Sequence, residues 1–135
     1  MNYWMLKRIL NFWLVNAFWI AISFTIFILM MSLINSNSIQ IQSFQISDKI
    51  LHASAYMLMM WAWMMLLKKL GMSRSVLILL IALTMFGIVV EGLQAYLTES
   101  RTADWKDAVA NFIGLIIGVT TFNQLFFRLI YQDKS

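Results

Sequence analysis

Acids, amides, one histidine and a lysine recur at helical spacing inside otherwise apolar stretches of this chain. In SDKILHASAY (residues 47–56), Asp48, His52 and Tyr56 stand four and four apart, so a helix stacks them on one face. Lys49 is their neighbour, and His52 and Tyr56 sit about 6 and 12 Å below Asp48 along the axis. In RTADWKDAVANFIGLIIG (residues 101–118), Asp104, Asp107 and Asn111 stand three and four apart, again on one face. In EGLQ, Glu91 and Gln94 lie one turn apart near the end of a long apolar run.

These types support more than one chemistry. Ser47 or Asp48 can cap one helix and Asp104 another, where a carboxylate meets open N–H groups and the positive helix end. Glu91 is different, because an ionisable group inside a span costs at least about 2.5–3.5 kcal/mol and must face the interior with a partner. His52, Lys49 and Arg101 are the candidate partners. If the site is catalytic, His52 and Glu91 form its proton-transfer pair; equally, His52 and Tyr56 can be hydrogen-bonded packing residues. Arg101, Lys49 and Lys106, beside two helix N-termini, suit an anion such as a phosphate. His52 with Glu91, Asp104 and Asp107 offers donors for a divalent ion. The fixed spacing of a metal motif is absent, so no metal or other cofactor is assigned.

The elements that must hold these groups are membrane helices. Of 135 residues, 61% are hydrophobic and only 12% charged, about half the charge of an ordinary soluble domain. That surplus of apolar surface has to face lipid. Four spans are expected, at about 9–34, 48–67, 76–97 and 107–130, in a single all-α domain over residues 1–135, an integral membrane four-helix bundle. The polar segment 35–45 reads as a loop. Lys68, Lys69 and Gly71 read as the end of the second span, basic groups followed by a left-handed cap. Seven of the ten basic residues fall on one side of such a stack, which places both termini in the cytoplasm. Trp4 and Trp105 then fit interfacial belts on opposite sides. The net charge of +4 is thus an orientation signal, and no nucleic-acid-reading motif or phosphate-binding glycine loop is present.

At this orientation the polar residues of the second, third and fourth spans lie at matching depth in the outer third. They are expected to converge on one outward-facing polar pocket. Gly114 and Gly118 continue the Asn111 face in a small-xxx-small pattern that admits another helix backbone. Met57, Met60 and Met64 share a face of the second span and read as packing rather than copper ligands. Trp61 and Trp63 read as lipid or helix contacts.

The set Asp48, Lys49, His52, Tyr56, then Glu91 and Gln94, then Arg101, Asp104, Asp107, Asn111 and Gly114 resembles the pattern of the VanZ-like family of small bacterial membrane proteins. The resemblance covers about residues 47–118. It implies a multi-pass protein of the bacterial inner membrane with a link to glycopeptide (teicoplanin) resistance. The expected ligand is an anionic envelope lipid or lipid-linked precursor headgroup, held by Asp48, Lys49, Tyr56, Gln94, Arg101, Asp104, Asp107 and Asn111. The alternative is a non-enzymatic partner subunit, in a homo-oligomer or with another membrane protein, whose polar residues form an internal hydrogen-bonded core.

Overall fold

A computed structural model describes residues 3–33, 48–97 and 104–131, and these are helical except for short turns. The helices are α1 (Tyr3–Val15), α2 (Ala17–Leu33), α3 (Asp48–Lys69), α4 (Val76–Leu97) and α5 (Trp105–Tyr131), with a 3₁₀ turn at Ser73–Ser75 before α4. They form an all-α bundle. Three of them, α3, α4 with its 3₁₀ lead-in, and α5, are long and apolar enough to cross a membrane. The expected second, third and fourth spans match α3, α4 and α5 to within two residues at each end. The segment 35–45, Arg101 and Ser47 lie outside the described residues.

The first span differs from the expected 9–34. Helix begins at Tyr3 and is interrupted at Asn16, leaving the 17-residue apolar α2 as its longer piece. The cause is competition for backbone acceptors. The Asn16 side-chain amide donates to the Phe12 carbonyl at 2.9 Å. Lys69 Nζ, at the far end of α3, donates to the Val15 carbonyl at 2.7 Å. The ladder still bridges the break through Asn16 N–H to Phe12 and Ile20 N–H to Asn16.

The turn after α3 follows from Gly71, whose φ of +70° is the left-handed conformation. Gly71 N–H reaches the Lys68 carbonyl and Met72 N–H the Leu67 carbonyl, the paired closure of a Schellman cap. Lys68 and Lys69 in the last turn of α3 complement its negative end.

Helix α3 is central: it touches α1, α2, α4 and α5, and its longest seam is with α5. Its core-facing side carries Tyr56, Met59, Met60 and Met64, packed with Ile28 of α2, Leu79 and Leu83 of α4, and Leu115 and Phe122 of α5. Flexible thioethers fill the irregular gaps among these helices. On α4 the buried residues Leu79, Leu83, Gly87, Val90, Glu91 and Gln94 form one stripe. Its other face exposes Leu77, Ile78, Ile81, Met85, Ile88 and Val89. Such a face is at home against lipid tails, which are as apolar as leucine.

Lipid supplies no hydrophobic drive for helix association, so close packing and hydrogen bonds must hold the bundle. Gly114 and Gly118 provide the first. A Cβ on Gly114 would overlap the Ala53 carbonyl oxygen, and one on Gly118 would lie 2.8 Å from Met60 Cβ and 3.0 Å from the Met57 carbonyl oxygen. Two tryptophans add the second. Trp61 Nε1 donates to Thr121 Oγ1 of α5, and Trp63 Nε1 to Thr25 Oγ1 of α2, each at 3.0 Å. Each threonine hydroxyl donates onward to a carbonyl of its own helix, Thr121 to Ile117 and Thr25 to Ala21.

Candidate functional site

At the Asp48 end of the bundle the polar faces of α3, α4 and α5 meet. The glycine seam sets this up: with Gly114 against Ala53, the residues one turn nearer the helix starts are brought face to face. Lys49 Nζ lies 2.6 Å from Asp107 Oδ1 and 3.1 Å from Asp104 Oδ2. Asp107 is largely buried, whereas Lys49 and Asp104 are about two-fifths exposed. Asp104 also caps α5, its Oδ1 accepting the Lys106 backbone N–H at 2.9 Å. That backbone donor first, and the Lys49 ammonium second, hold the Asp104 carboxyl below its ordinary value of 3.8.

One turn deeper, His52 Nδ1 donates to Asn111 Oδ1 at 3.0 Å. Asn111 Nδ2 in turn donates to Glu91 Oε1 at 3.4 Å, and the same carboxylate oxygen lies 3.6 Å from His52 Nδ1. Glu91 is 7% exposed and Asn111 3%. With its Nδ1 proton directed at Asn111, His52 turns Nε2 toward Asp48 Oδ2, 3.9 Å away. That distance is too long for a hydrogen bond. The second ring nitrogen therefore faces the helix ends with its lone pair available when the ring is neutral. Such an arrangement can accept a proton, orient a water or bind a cation.

A cleft of about 350 Å³ opens beside this network, between α2, α3 and α4. Its polar lining is Ser32, Asp48, His52, Tyr56 and Gln94; its apolar lining is Phe27, Ile28, Met31, Leu51 and Ala55. Tyr56 is 2% exposed. Its ring packs against Gly87, where a Cβ would lie 3.1 Å away, and its hydroxyl has no hydrogen-bond partner among the described residues.

The structure thus brings together Lys49, His52, Glu91, Asp104, Asp107 and Asn111, with Asp48 at the rim. Lys49, expected to pair with Glu91 or to help hold a phosphate, is held by two other carboxylates, Asp104 and Asp107. Gln94 donates to the Ser32 carbonyl of α2 at 2.7 Å. Helix α2 is therefore a wall of the site as well as an apolar span. Sequence reasoning missed that contribution, as it missed Gly87, since neither Ser32 nor Gly87 carries a spacing signal. The tryptophan–threonine pairs were equally hidden, because a threonine in an apolar run shows no partner.

The class these features define is an α-helical bundle with three membrane-length helices and a polar network at one end, beside an amphipathic cleft. No protein-family model, no curated protein and no solved structure matches the chain.

Proposed function

We propose that this chain is a multi-pass protein of a bacterial inner membrane, similar to the VanZ-like family, that holds the polar head of an anionic cell-envelope lipid or lipid-linked precursor. Both termini lie in the cytoplasm and the cleft opens outward. Lys68, Lys69 and Arg74 belong to the bundle end that the Lys69–Val15 contact joins, and basic residues are retained on the cytoplasmic side. The observation that carries the reading is the cleft: Asp48, His52, Tyr56, Gln94 and Ser32 supply a polar end, and Phe27, Ile28, Met31, Leu51 and Ala55 an apolar wall. A ligand with a polar head and a hydrocarbon tail uses both, whereas a water-soluble solute has no use for the wall.

Lys49 serves this reading indirectly, by neutralising Asp104 and Asp107 at the rim, and Arg101 is the cation assigned to the headgroup. In a catalytic version His52 and Glu91 handle the proton, with water or a substrate hydroxyl as nucleophile. Influence on glycopeptide sensitivity then follows from sequestering or altering an envelope precursor.

Labelled anionic and zwitterionic lipids bound to the purified protein test the proposal. Binding of the anionic lipid should fall at least tenfold in Arg101→Ala and in Glu91→Gln, and binding unchanged in both variants refutes it.

A second reading, a structural partner subunit, is favoured by one observation: the bonds Lys49–Asp107, His52–Asn111 and Asn111–Glu91 satisfy one another without any ligand. It requires that drug sensitivity track protein abundance alone across His52→Ala and Glu91→Gln.

A further inference from the structure

We infer that Asp48, His52 and Asp107 form a binding site for one divalent transition-metal cation, where α5 meets the edge of the cleft that Asp48 and His52 line. One oxygen of each carboxylate and one imidazole nitrogen lie within 4.8 Å of one another. Donors bound to one such ion at about 2.1 Å stand roughly 3–4.2 Å apart. The His52 Nε2 to Asp48 Oδ2 separation of 3.9 Å already falls in that range. Lys49 engages Asp107 through Oδ1, which leaves the second oxygen of that carboxylate for an ion. Lys49 already compensates part of the Asp107 charge, so Asp48 supplies most of the charge for the ion, and a mixed imidazole–carboxylate set suits manganese, iron or zinc rather than calcium or copper(I).

The histidine is oriented as a ligand. Its Nδ1–H is fixed by Asn111, which Glu91 holds in turn; that is the outer support by which a ligating imidazole is locked into one tautomer. Asp48 and His52 are one turn apart on α3, and the glycine seam sets the distance from α3 to Asp107 on α5. The three donors are therefore spaced by rigid backbone.

A separate observation points to an occupant of the cleft. Tyr56 lines it with Asp48 and His52, one turn below the histidine. Its buried hydroxyl has no hydrogen-bond partner among the described residues. Buried hydroxyls are ordinarily paired. A water or ligand oxygen in the cleft supplies a partner that the described protein groups do not. The donor set is sufficient for a bare ion, so the site stands independently of the lipid reading.

The test titrates Mn²⁺ into the purified full chain, without a histidine tag, in detergent micelles, followed by electron paramagnetic resonance. The expected result is one saturable ion per chain, with nitrogen modulation from a single imidazole. His52→Gln abolishes that modulation. Asp48→Asn, a near-isosteric change, weakens Mn²⁺ binding at least tenfold. Absence of a saturable ion, nitrogen modulation that survives His52→Gln, or an affinity indifferent to Asp48→Asn overturns the site.

Discussion

The two flanks of α3 are built on opposite principles. Toward α5 the helices are in backbone contact, with Gly114 and Gly118 leaving no room for a side chain, and the rim is sealed by Lys49 on two carboxylates. Toward α2 and α4 the same helix leaves a cleft of about 350 Å³ lined by Tyr56, whose hydroxyl has no partner among the described residues. Within a bilayer this contrast is informative, because apolar packing alone gives helices little reason to associate. The closed flank is the part that holds the bundle, and it fixes where His52 and Asn111 meet. The open flank is held by fewer and longer-range contacts, such as Trp63 on Thr25 and Gln94 on the Ser32 carbonyl, and it leaves the space that the proposed ligand would occupy.

The hardest test of that division is to force the closed flank apart. Gly114→Leu places a side chain where Ala53 backbone already sits, so α3 and α5 must separate. The expected cost is about 3 kcal/mol or more, read as a large drop in detergent melting temperature or loss of the folded protein. Gly118→Ala meets Met60 and the Met57 carbonyl less severely and should cost about 1–3 kcal/mol. If Gly114→Leu melted like the parent, the seam would not be the clamp described here.

The rim comes next. Lys49→Ala strands the mostly buried Asp107 without its ammonium, and should lower the melting temperature in the same melts, by less than Gly114→Leu. Its pH signature has a definite sign. Because Lys106 N–H and Lys49 hold the Asp104 carboxyl below its ordinary value of 3.8, the unfolded chain binds that proton at higher pH than the folded one. Asp104 therefore stabilises the fold fully above the ordinary carboxyl range, and this contribution is lost as the pH falls from there through the depressed folded value. Asp104→Asn should remove that part of the acid limb of a stability–pH profile. A limb unchanged by the substitution would place the titrating group elsewhere.

How far the sequence discloses this contrast depends on whether a residue's signal is local. Asp48, His52 and Tyr56, or Asp104, Asp107 and Asn111, share a face by spacing alone, and the apolar runs bound α3, α4 and α5 closely. Gly114 and Gly118 announced a close approach; only the structure identifies Ala53, Met57 and Met60 as what approaches. Partner choice was the illegible part. Lys49 reads as a partner for Glu91 or for a phosphate until Asp104 and Asp107 are placed beside it, and nothing in the sequence shows that Gln94, which does line the cleft, reaches the Ser32 carbonyl. The break at Asn16 was hidden for the same reason, since Lys69, which draws off the Val15 carbonyl, is 54 residues away in sequence.

The open flank should be insensitive where the closed one is fragile. Trp63→Phe removes one hydrogen bond to Thr25 across α2 and α3. Its expected cost is only about 0.6 kcal/mol, the typical worth of such a bond between membrane helices, and a melt resolves it best in a double-mutant cycle with Thr25→Val. Smaller still, or of opposite sign, is the effect of Tyr56→Phe. That change deletes a buried hydroxyl with no partner among the described residues and keeps the ring against Gly87. A group that makes no hydrogen bond in the empty protein contributes nothing favourable to its folding, so the melting temperature should stay level or rise slightly. Occupancy reverses the ranking. When an amphiphile or a cation-borne oxygen fills the cleft, the hydroxyl gains its partner, and Tyr56→Phe should weaken binding by about tenfold while the melt of the empty protein is unmoved. A hydroxyl that mattered to the empty fold would lower that melt by about 1 kcal/mol or more, and the cleft would then be part of the clamp rather than its counterpart.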